Sequence, residues 1–162
     1  MKKNTVPSTL ETSVESYISQ ELMKRGFVTS ITTKDTSKFD LVVSDEKLEN
    51  IFVIQVKSSK DMVKTKKWKI KISDLVVSDK LIYIFSNLPE KKTFEPEFYI
   101  FSSRVVSDRV GGDTKDLSKK SNRSNSSKEF ILDDESDKPN NWEDFGNVKK
   151  KKGPKKRIVI KK

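Results

Sequence analysis

The chain reads Phe39-Asp40-Leu41-Val42-Val43, then a charged turn, then Ile51-Phe52-Val53-Ile54-Gln55-Val56-Lys57-Ser58-Ser59. Two apolar segments around a polar turn predict a β-hairpin. Because side chains alternate along a strand, Gln55 and Lys57 share one face while Ile54 and Val56 point into a core. A lysine on such a strand needs a carboxylate, a metal-bound water or a phosphate beside it. The hairpin is therefore the first candidate for a catalytic or metal-binding site.

The composition narrows the kinds of site that this chain can build. Its 162 residues are 33% hydrophobic and 36% charged, which predicts one domain with a modest core and poorly ordered tails. The sequence contains no cysteine and no histidine, which excludes disulfides, thiolate or histidine zinc sites, Ser-His triads and imidazole bases. Any metal would be held by oxygen ligands, which favours Mg²⁺ or Mn²⁺.

The positive charge is concentrated in two places. Residues 149–162 hold nine Lys or Arg and no acid, so the other residues carry 25 bases against 24 acids out of a net charge of +10. Residues 57–71 hold seven lysines and Asp61 as the one acid, directly after the Gln-x-Lys strand. Both concentrations favour a polyanionic partner.

Periodicity predicts an α/β fold with a mixed sheet of about five to six strands, flanked by helices. The predicted helices are 10–25, ended by Gly26, and 103–110, capped by Ser102 or Ser103, with a short helix after Ser73. The predicted strands are 27–32, 39–43, 51–58, 66–72, 81–85, 98–101 and 130–132. The predicted organisation is a core at 1–110, a flexible polar loop at 111–128, a strand and turn packing back at 129–146, and a disordered basic tail at 147–162.

No apolar run approaches the length of about 20 residues that spans a membrane, and the N-terminus lacks the apolar stretch of a signal peptide. These features predict a cytoplasmic protein without a membrane partner. In a eukaryote the basic tail would also suit nuclear import, although a nonspecific DNA-binding arm is the preferred interpretation.

The helix, the hairpin and its polar residues together resemble the PD-(D/E)xK nuclease superfamily, which includes many restriction endonucleases and archaeal Holliday-junction resolvases. Over residues 8–101, Glu15 matches the family's helical glutamate, Asp40 its strand aspartate, and Gln55-Val56-Lys57 its (D/E)-x-K. Gln55 departs from the commonest form but is similar to the Gln-x-Lys of Mrr-like restriction endonucleases. Because the Gln55 amide oxygen carries no charge, the site would bind a single metal ion, and it would bind that ion more weakly than a site with Asp or Glu at this position.

The resemblance implies a restriction-endonuclease-like core and a Mg²⁺- or Mn²⁺-dependent endonuclease that hydrolyses DNA, for restriction, repair or junction resolution. Asp40, Gln55 and Glu15 would bind the metal, and Lys57 would position the attacking water or stabilise negative charge. DNA is the implied partner, with branched or modified DNA among the options, and a homodimer is allowed. The candidate DNA-binding residues are Lys60, Lys64, Lys66, Lys67, Lys69, Lys149, Lys150, Lys151, Lys152, Lys155, Lys156 and Arg157.

Other interpretations of the same residues stay open. Lys57 and Asp40 also suit an ordinary ion pair, and Trp68 is better explained by inward packing than by base stacking. The acidic run 133–137 suits a solvated turn better than a calcium loop. At the level of function, the alternatives are an inactive nucleic-acid-binding or protein-interaction module of this fold, whose site has decayed at Gln55, and a basic-tailed adaptor.

Overall fold

A computed structural model describes residues 9–33, 38–59, 66–88, 96–111, 127–133 and 135–147. Two α-helices and seven β-strands occur in these ranges, together with short 3₁₀ turns at Ile72–Asp74 and Trp142–Asn147. In chain order the elements are α1 (Thr9–Met23), β1 (Phe27–Ile31), β2 (Leu41–Asp45), β3 (Ile51–Ser59), β4 (Lys67–Lys71), β5 (Leu81–Asn87), β6 (Glu97–Ser102), α2 (Ser103–Gly111) and β7 (Ser127–Ile131).

The main sheet has five strands in the order β1-β2-β3-β5-β6. Strands β1, β2 and β3 pair antiparallel, β3 and β5 pair parallel, and β5 and β6 pair antiparallel. The predicted α/β class with a mixed sheet flanked by helices is confirmed. Strand β4 pairs with β7 in a separate two-stranded sheet, which we call the ribbon, whereas periodicity alone did not indicate its partner.

The predicted end of the first helix is confirmed to within two residues. Helix α1 ends at Met23, and Gly26 adopts a φ of +84°, a conformation that residues with a β-carbon rarely adopt. Ser102 caps α2 through its hydroxyl oxygen, which accepts a hydrogen bond from the Val105 amide at 3.3 Å. Both local signals in the sequence therefore act as expected.

The two faces of the main sheet are covered by different elements. Helix α1 packs on one face, where Val14, Ile18 and Leu22 meet Ile54 and other buried residues of a first apolar cluster. The ribbon and α2 pack on the other face and form a second cluster with Tyr83, Phe85 and Tyr99. We call these the helix face and the ribbon face. Burial on both faces explains why β5 is buried at every position.

The segment after β7 packs on the body, as predicted. Trp142 and Phe145 are buried in the first cluster, and the ring of Phe145 meets those of Phe27 and Phe52 edge-on. Strand β7 begins at Ser127, three residues before the predicted strand. Of the predicted flexible loop at 111–128, Gly111 instead ends α2 and residues 127 and 128 belong to β7, and Asn147 of the predicted tail belongs to a 3₁₀ turn; residues 112–126 and 148–162 lie outside the described residues.

Candidate active site on the ribbon face

Asp40 lies immediately before β2 and is held there by three hydrogen bonds. Its amide donates to the Ile54 carbonyl at 2.9 Å, and its carbonyl accepts from the Thr32 amide at 2.9 Å. Its carboxylate accepts a hydrogen bond from the Val56 amide at 2.6 Å. The Asp40 carboxylate takes the Val56 amide that a backbone carbonyl of a longer strand would bind. The backbone pairing of β2 therefore begins at Leu41 rather than at the predicted Phe39.

Gln55 and Lys57 project on the ribbon face, two residues apart, as predicted. Their register partners on β5 are Tyr83 and Phe85, both members of the second apolar cluster. Ile54 belongs to the first cluster and Val56 packs against it, so the alternation within β3 is confirmed. The Asp40 carboxylate is bound to the one amide that lies between Gln55 and Lys57 in the chain. The three predicted site residues of the hairpin therefore form one local group.

Glu15 lies on α1, which packs against the helix face of the sheet. Its side chain is buried, at 5% exposure, and has a polar interaction. Glu21 on the same helix instead pairs with Lys24 at 2.7 Å and with Arg25 at 2.8 Å near the solvent. A buried carboxylate is costly without partners, so Glu15 differs from an ordinary solvated helical glutamate.

The donor atoms of the group fit a hard divalent cation with a partial protein shell. Asp40 offers a carboxylate and Gln55 an amide, and Mg²⁺ is commonly held by one or two carboxylates while it keeps several waters. Within the described residues, no group of three or more acidic side chains capable of holding a metal ion occurs. A metal here would depend on Asp40 and Gln55 together with water and substrate oxygens.

The predicted basic residues fall into described and undescribed sets. Lys66 lies just before the ribbon with its ammonium 5.5 Å from the centre of the Tyr99 ring. Lys67 pairs with Glu129 across the ribbon at 3.0 Å, and Lys69 is exposed on the same strand. The remaining predicted lysines and Arg157, namely Lys60, Lys64 and those of the tail, lie outside the described residues.

A polar group that periodicity did not single out lies farther along the ribbon face. Asn87 and Tyr99 each donate a hydrogen bond to the Glu97 carboxylate, at 3.3 and 3.0 Å. Burial raises the pKa of the Tyr99 hydroxyl, although a hydrogen bond with Lys66 acts in the opposite direction. In the register of the sheet, Ser59 pairs with Asn87, two positions beyond Lys57. The signal was Glu97 just before the predicted strand 98–101, with Tyr99 two residues farther along the chain, whereas Asn87 joins them only through the pairing of β5 with β6.

The acidic run is not only a solvated turn. Asp137 accepts two hydrogen bonds from the Arg109 guanidinium, at 2.6 and 2.9 Å, and a third from the Asp133 amide at 2.7 Å. Burial would raise the pKa of Asp137, but these contacts outweigh it and hold that pKa below its ordinary value of 3.8. The run therefore joins β7 to α2, and no calcium-binding group is formed by its described residues.

No helix in the described part of the chain is long and apolar enough to cross a membrane. No protein-family model matches the chain, and no curated protein matches it.

Solved structures include similar folds. The chain is similar to Archaeoglobus fulgidus Hjc, a Holliday junction resolvase from an archaeal hyperthermophile, with a TM-score of 0.43, 15% identity, and coverage of 74% of this chain and 85% of that one. It is also similar to the bacterial homing endonuclease I-Ssp6803I, with a TM-score of 0.49, 16% identity, and coverage of 90% and 95%. At such identities the likeness concerns the fold alone.

Proposed function

We propose that this protein is a Mg²⁺- or Mn²⁺-dependent endonuclease that hydrolyses DNA phosphodiester bonds, with Asp40, Gln55 and Lys57 at its active site. The observation that carries the proposal is the hydrogen bond that the Val56 amide, between Gln55 and Lys57 in the chain, donates to the Asp40 carboxylate. This arrangement joins an acid, a neutral oxygen donor and a cation on adjacent strands. Each of the three has a use in phosphodiester hydrolysis.

Asp40 and the Gln55 amide oxygen would hold the cation together with water and substrate oxygens, whereas Glu15, on the helix that packs against the opposite face of the sheet, stays outside this donor set. When bound, a divalent cation supplies a bound water of lowered pKa and neutralises charge on the phosphate. Lys57 would bind a nonbridging phosphate oxygen or orient the attacking water, because its ammonium carries three donors and no acceptor. The hydrogen bond from the Val56 amide would fix the Asp40 carboxylate before substrate arrives, which lowers the cost of ordering the site.

A second candidate function is DNA binding without hydrolysis. The observation that favours it is the shortage of carboxylates, because the described residues contain no group of three acids that could hold a metal. A site with Gln55 in place of an acid would hold a metal more weakly. Such a protein would bind DNA and leave its phosphodiester bonds intact.

The test compares the purified full-length protein with Asp40→Asn on plasmid, linear and branched DNA, in Mg²⁺, Mn²⁺ or EDTA. Asparagine retains an oxygen that can accept the Val56 hydrogen bond, so this variant removes the charge and keeps the contact that orders the hairpin. Asp108→Asn is the matched control, because Asp108 is exposed on α2.

The proposal requires metal-dependent cutting by the wild type and by Asp108→Asn, and loss of cutting by Asp40→Asn. Cutting that persists in Asp40→Asn at the wild-type rate would contradict the assigned site. Binding of DNA without cutting under every metal condition would favour the second candidate. If the wild type cuts DNA, the form that it cuts fastest, plasmid, linear or branched, would identify its substrate.

A further inference from the structure

We infer that the outer face of the ribbon formed by β4 and β7 is a docking surface for the phosphate backbone of duplex DNA. The inference rests on the proposed function in assigning DNA as the substrate, and it adds the surface that would hold the DNA. The sequence already named Lys66, Lys67 and Lys69 among the candidate DNA-binding residues, but it did not indicate the surface on which they lie. The structure shows which of them share a surface and what supports it.

Alternation divides the ribbon into two unlike faces. Trp68, Ile70 and Phe130 are buried, with exposures of 4%, 2% and 0%, and point into the second apolar cluster. The intervening residues of β4 are lysines that face away from this core, namely Lys67, Lys69 and Lys71. Lysines two residues apart on a strand lie about 6.8 Å from one another along it. Three cations in line are therefore presented at the surface.

The ribbon is positively charged as a whole. Its ten residues contain four lysines and a single acid, Glu129, which gives a net charge of +3. Glu129 pairs with Lys67 at 3.0 Å, and both side chains are about 40% exposed. Lys128 is in register with the buried Ile70, so the outer face itself carries Lys67, Lys69 and Lys71 against Glu129, a net charge of +2 that favours a polyanion as its occupant. Because these contacts come from lysine ammonium groups, they suit phosphates and carry no sequence information.

The inner face of the ribbon packs on the main sheet, so the strand that carries the lysines is held in a fixed position. The ring of Phe130 stacks on Phe85 with centroids 4.3 Å apart and planes 4° from parallel. Trp68 packs against Phe85 at 5.1 Å and its indole nitrogen donates a hydrogen bond to the Ser86 carbonyl at 3.2 Å. A surface that does not need to fold on binding loses less free energy when it docks.

The same packing brings the ribbon beside the candidate active site. Phe85, on which the ribbon stacks, is the register partner of Lys57. Gln55 and Lys57 project on the ribbon face of the sheet, and the Asp40 carboxylate accepts a hydrogen bond from the Val56 amide that lies between them in the chain. The ribbon itself therefore lies next to the hairpin, although its lysines face away from the sheet, so DNA held on them would reach the hairpin around the edge of the ribbon. The ribbon would supply position and affinity, while the hairpin would supply the chemistry.

The experiment measures the affinity of the full-length protein for a fluorescent duplex by anisotropy, in EDTA, across a salt series. In Lys69→Gln/Lys71→Gln we expect the slope of log K against log salt to fall by about two, since each phosphate contact contributes about 0.9. The matched control is Lys47→Gln/Lys80→Gln, which removes the same charge from exposed lysines away from the ribbon. A slope equal in both double variants would overturn the inference.

A second variant separates docking from simple loss of folding. Glu129→Gln removes the acid that pairs with Lys67, so we expect tighter binding and a slope that increases by up to about one. An unfolded or damaged ribbon would not bind more tightly. Unchanged or weaker binding by Glu129→Gln would count against the surface.

The outcomes of this experiment and of the cutting assay are independent. EDTA prevents metal-dependent cutting, so the slopes report binding alone. Ribbon-dependent binding without any cutting would retain the docking surface and reject the endonuclease. If cutting depends on Asp40 but the salt slopes of the ribbon variants equal those of the control variant, the endonuclease is supported and this docking surface is rejected.

Discussion

Asp40 combines a structural role with a proposed chemical one. Its carboxylate accepts the hydrogen bond of the Val56 amide at 2.6 Å, in the middle of the Gln-x-Lys segment. A carboxylate that only bound a metal would not need this contact, and one that only capped a strand would not need its position beside Gln55 and Lys57. Substitutions that remove the charge, the acceptor or both can separate the two roles.

We expect Asp40→Ala to lower the free energy of unfolding by about 1 to 3 kcal/mol, because the Val56 amide loses its acceptor. Asp40→Asn should lower it by less than half as much, while both variants lose DNA cutting. Urea denaturation followed by circular dichroism measures the first quantity, and the plasmid assay the second. Equal destabilisation by both substitutions would show that charge, rather than the acceptor, stabilises the hairpin.

Gln55 is the residue at which the chain departs from the (D/E)-x-K pattern that its hairpin resembles. Gln55→Glu adds a negative charge to the proposed donor set, so we expect the metal concentration for half-maximal cutting to fall by about tenfold. Metal titration of the cutting rate measures the change, and Mn²⁺ binding followed by electron paramagnetic resonance provides a readout without DNA. Gln20→Glu on the exposed side of α1 is the control, and an identical metal requirement in all three proteins would contradict the ligand role of Gln55.

At the scale of elements, the ribbon depends on Trp68. Its indole ring contacts Phe85 and Tyr99, and its nitrogen donates to Ser86 on the main sheet. The interpretation of Trp68 as a packing residue is thus confirmed, and base stacking is excluded for a side chain that is 4% exposed. Together with the buried Ile70, Trp68 attaches β4 to a sheet with which it does not pair.

Trp68→Ala should lower the free energy of unfolding by about 3 to 5 kcal/mol, since it removes a large buried ring. Trp68→Phe should cost clearly less, because most of the apolar contact stays and chiefly the hydrogen bond to Ser86 is lost. Chemical denaturation measures both values. If the alanine variant were as stable as the wild type, the ribbon would not pack as the structure describes.

The contact between α2 and the acidic run predicts a pH dependence. The pKa of Asp137 is held below 3.8, so the unfolded chain binds its proton more readily than the folded chain does. The stabilisation is complete above that ordinary value and is lost as the pH falls through the lower folded pKa. Arg109, whose pKa is raised mainly by the hydrogen bond with Asp137, stays charged throughout.

We expect Asp137→Asn to be less stable than the wild type by about 1 to 3 kcal/mol at pH 7, because charged hydrogen bonds are lost. The two unfolding curves should converge as the pH falls below about 4, where the wild-type carboxylate takes up its proton. Urea denaturation across pH gives both results. Asp108→Asn controls for loss of an exposed charge, and a difference that persisted unchanged in acid would exclude the linkage.

At the scale of the whole molecule, charge is divided between a nearly neutral body and a basic tail. Removal of residues 149–162 lowers the net charge from +10 to +1. Most of the salt-dependent attraction for DNA should reside there, whereas the proposed chemistry belongs to the hairpin. The ribbon provides a smaller basic surface within the body.

We expect the protein without residues 149–162 to bind DNA much more weakly and with a smaller salt slope, because up to nine cations are removed. Metal-dependent cutting should persist at low salt and high protein concentration. Anisotropy and the plasmid assay measure the two effects, and a Gly-Ser replacement of equal length is the control for chain length. Complete loss of cutting at saturating protein would place part of the active site in the tail.

The sequence by itself determined the local features of this protein. The end of α1 shortly before Gly26, the cap of Ser102 on α2, and the alternation of side chains from Ile54 to Lys57 each depend on neighbouring residues. The absence of cysteine and histidine, which leaves only oxygen atoms as metal ligands, and the concentration of positive charge in two segments are also properties of the sequence alone. The hairpin and the grouping of Asp40 with Gln55 and Lys57 followed from these local rules, because its two strands are close in the chain.

Only the tertiary structure decided which distant segments meet. β4 pairs with β7, which begins 56 residues after β4 ends, and no local pattern specifies that pairing. The same holds for Arg109 with Asp137 and for Glu129 with Lys67. Pairing at such distances depends on which apolar faces fit one another, because burial is non-directional and many partners satisfy the same sequence pattern.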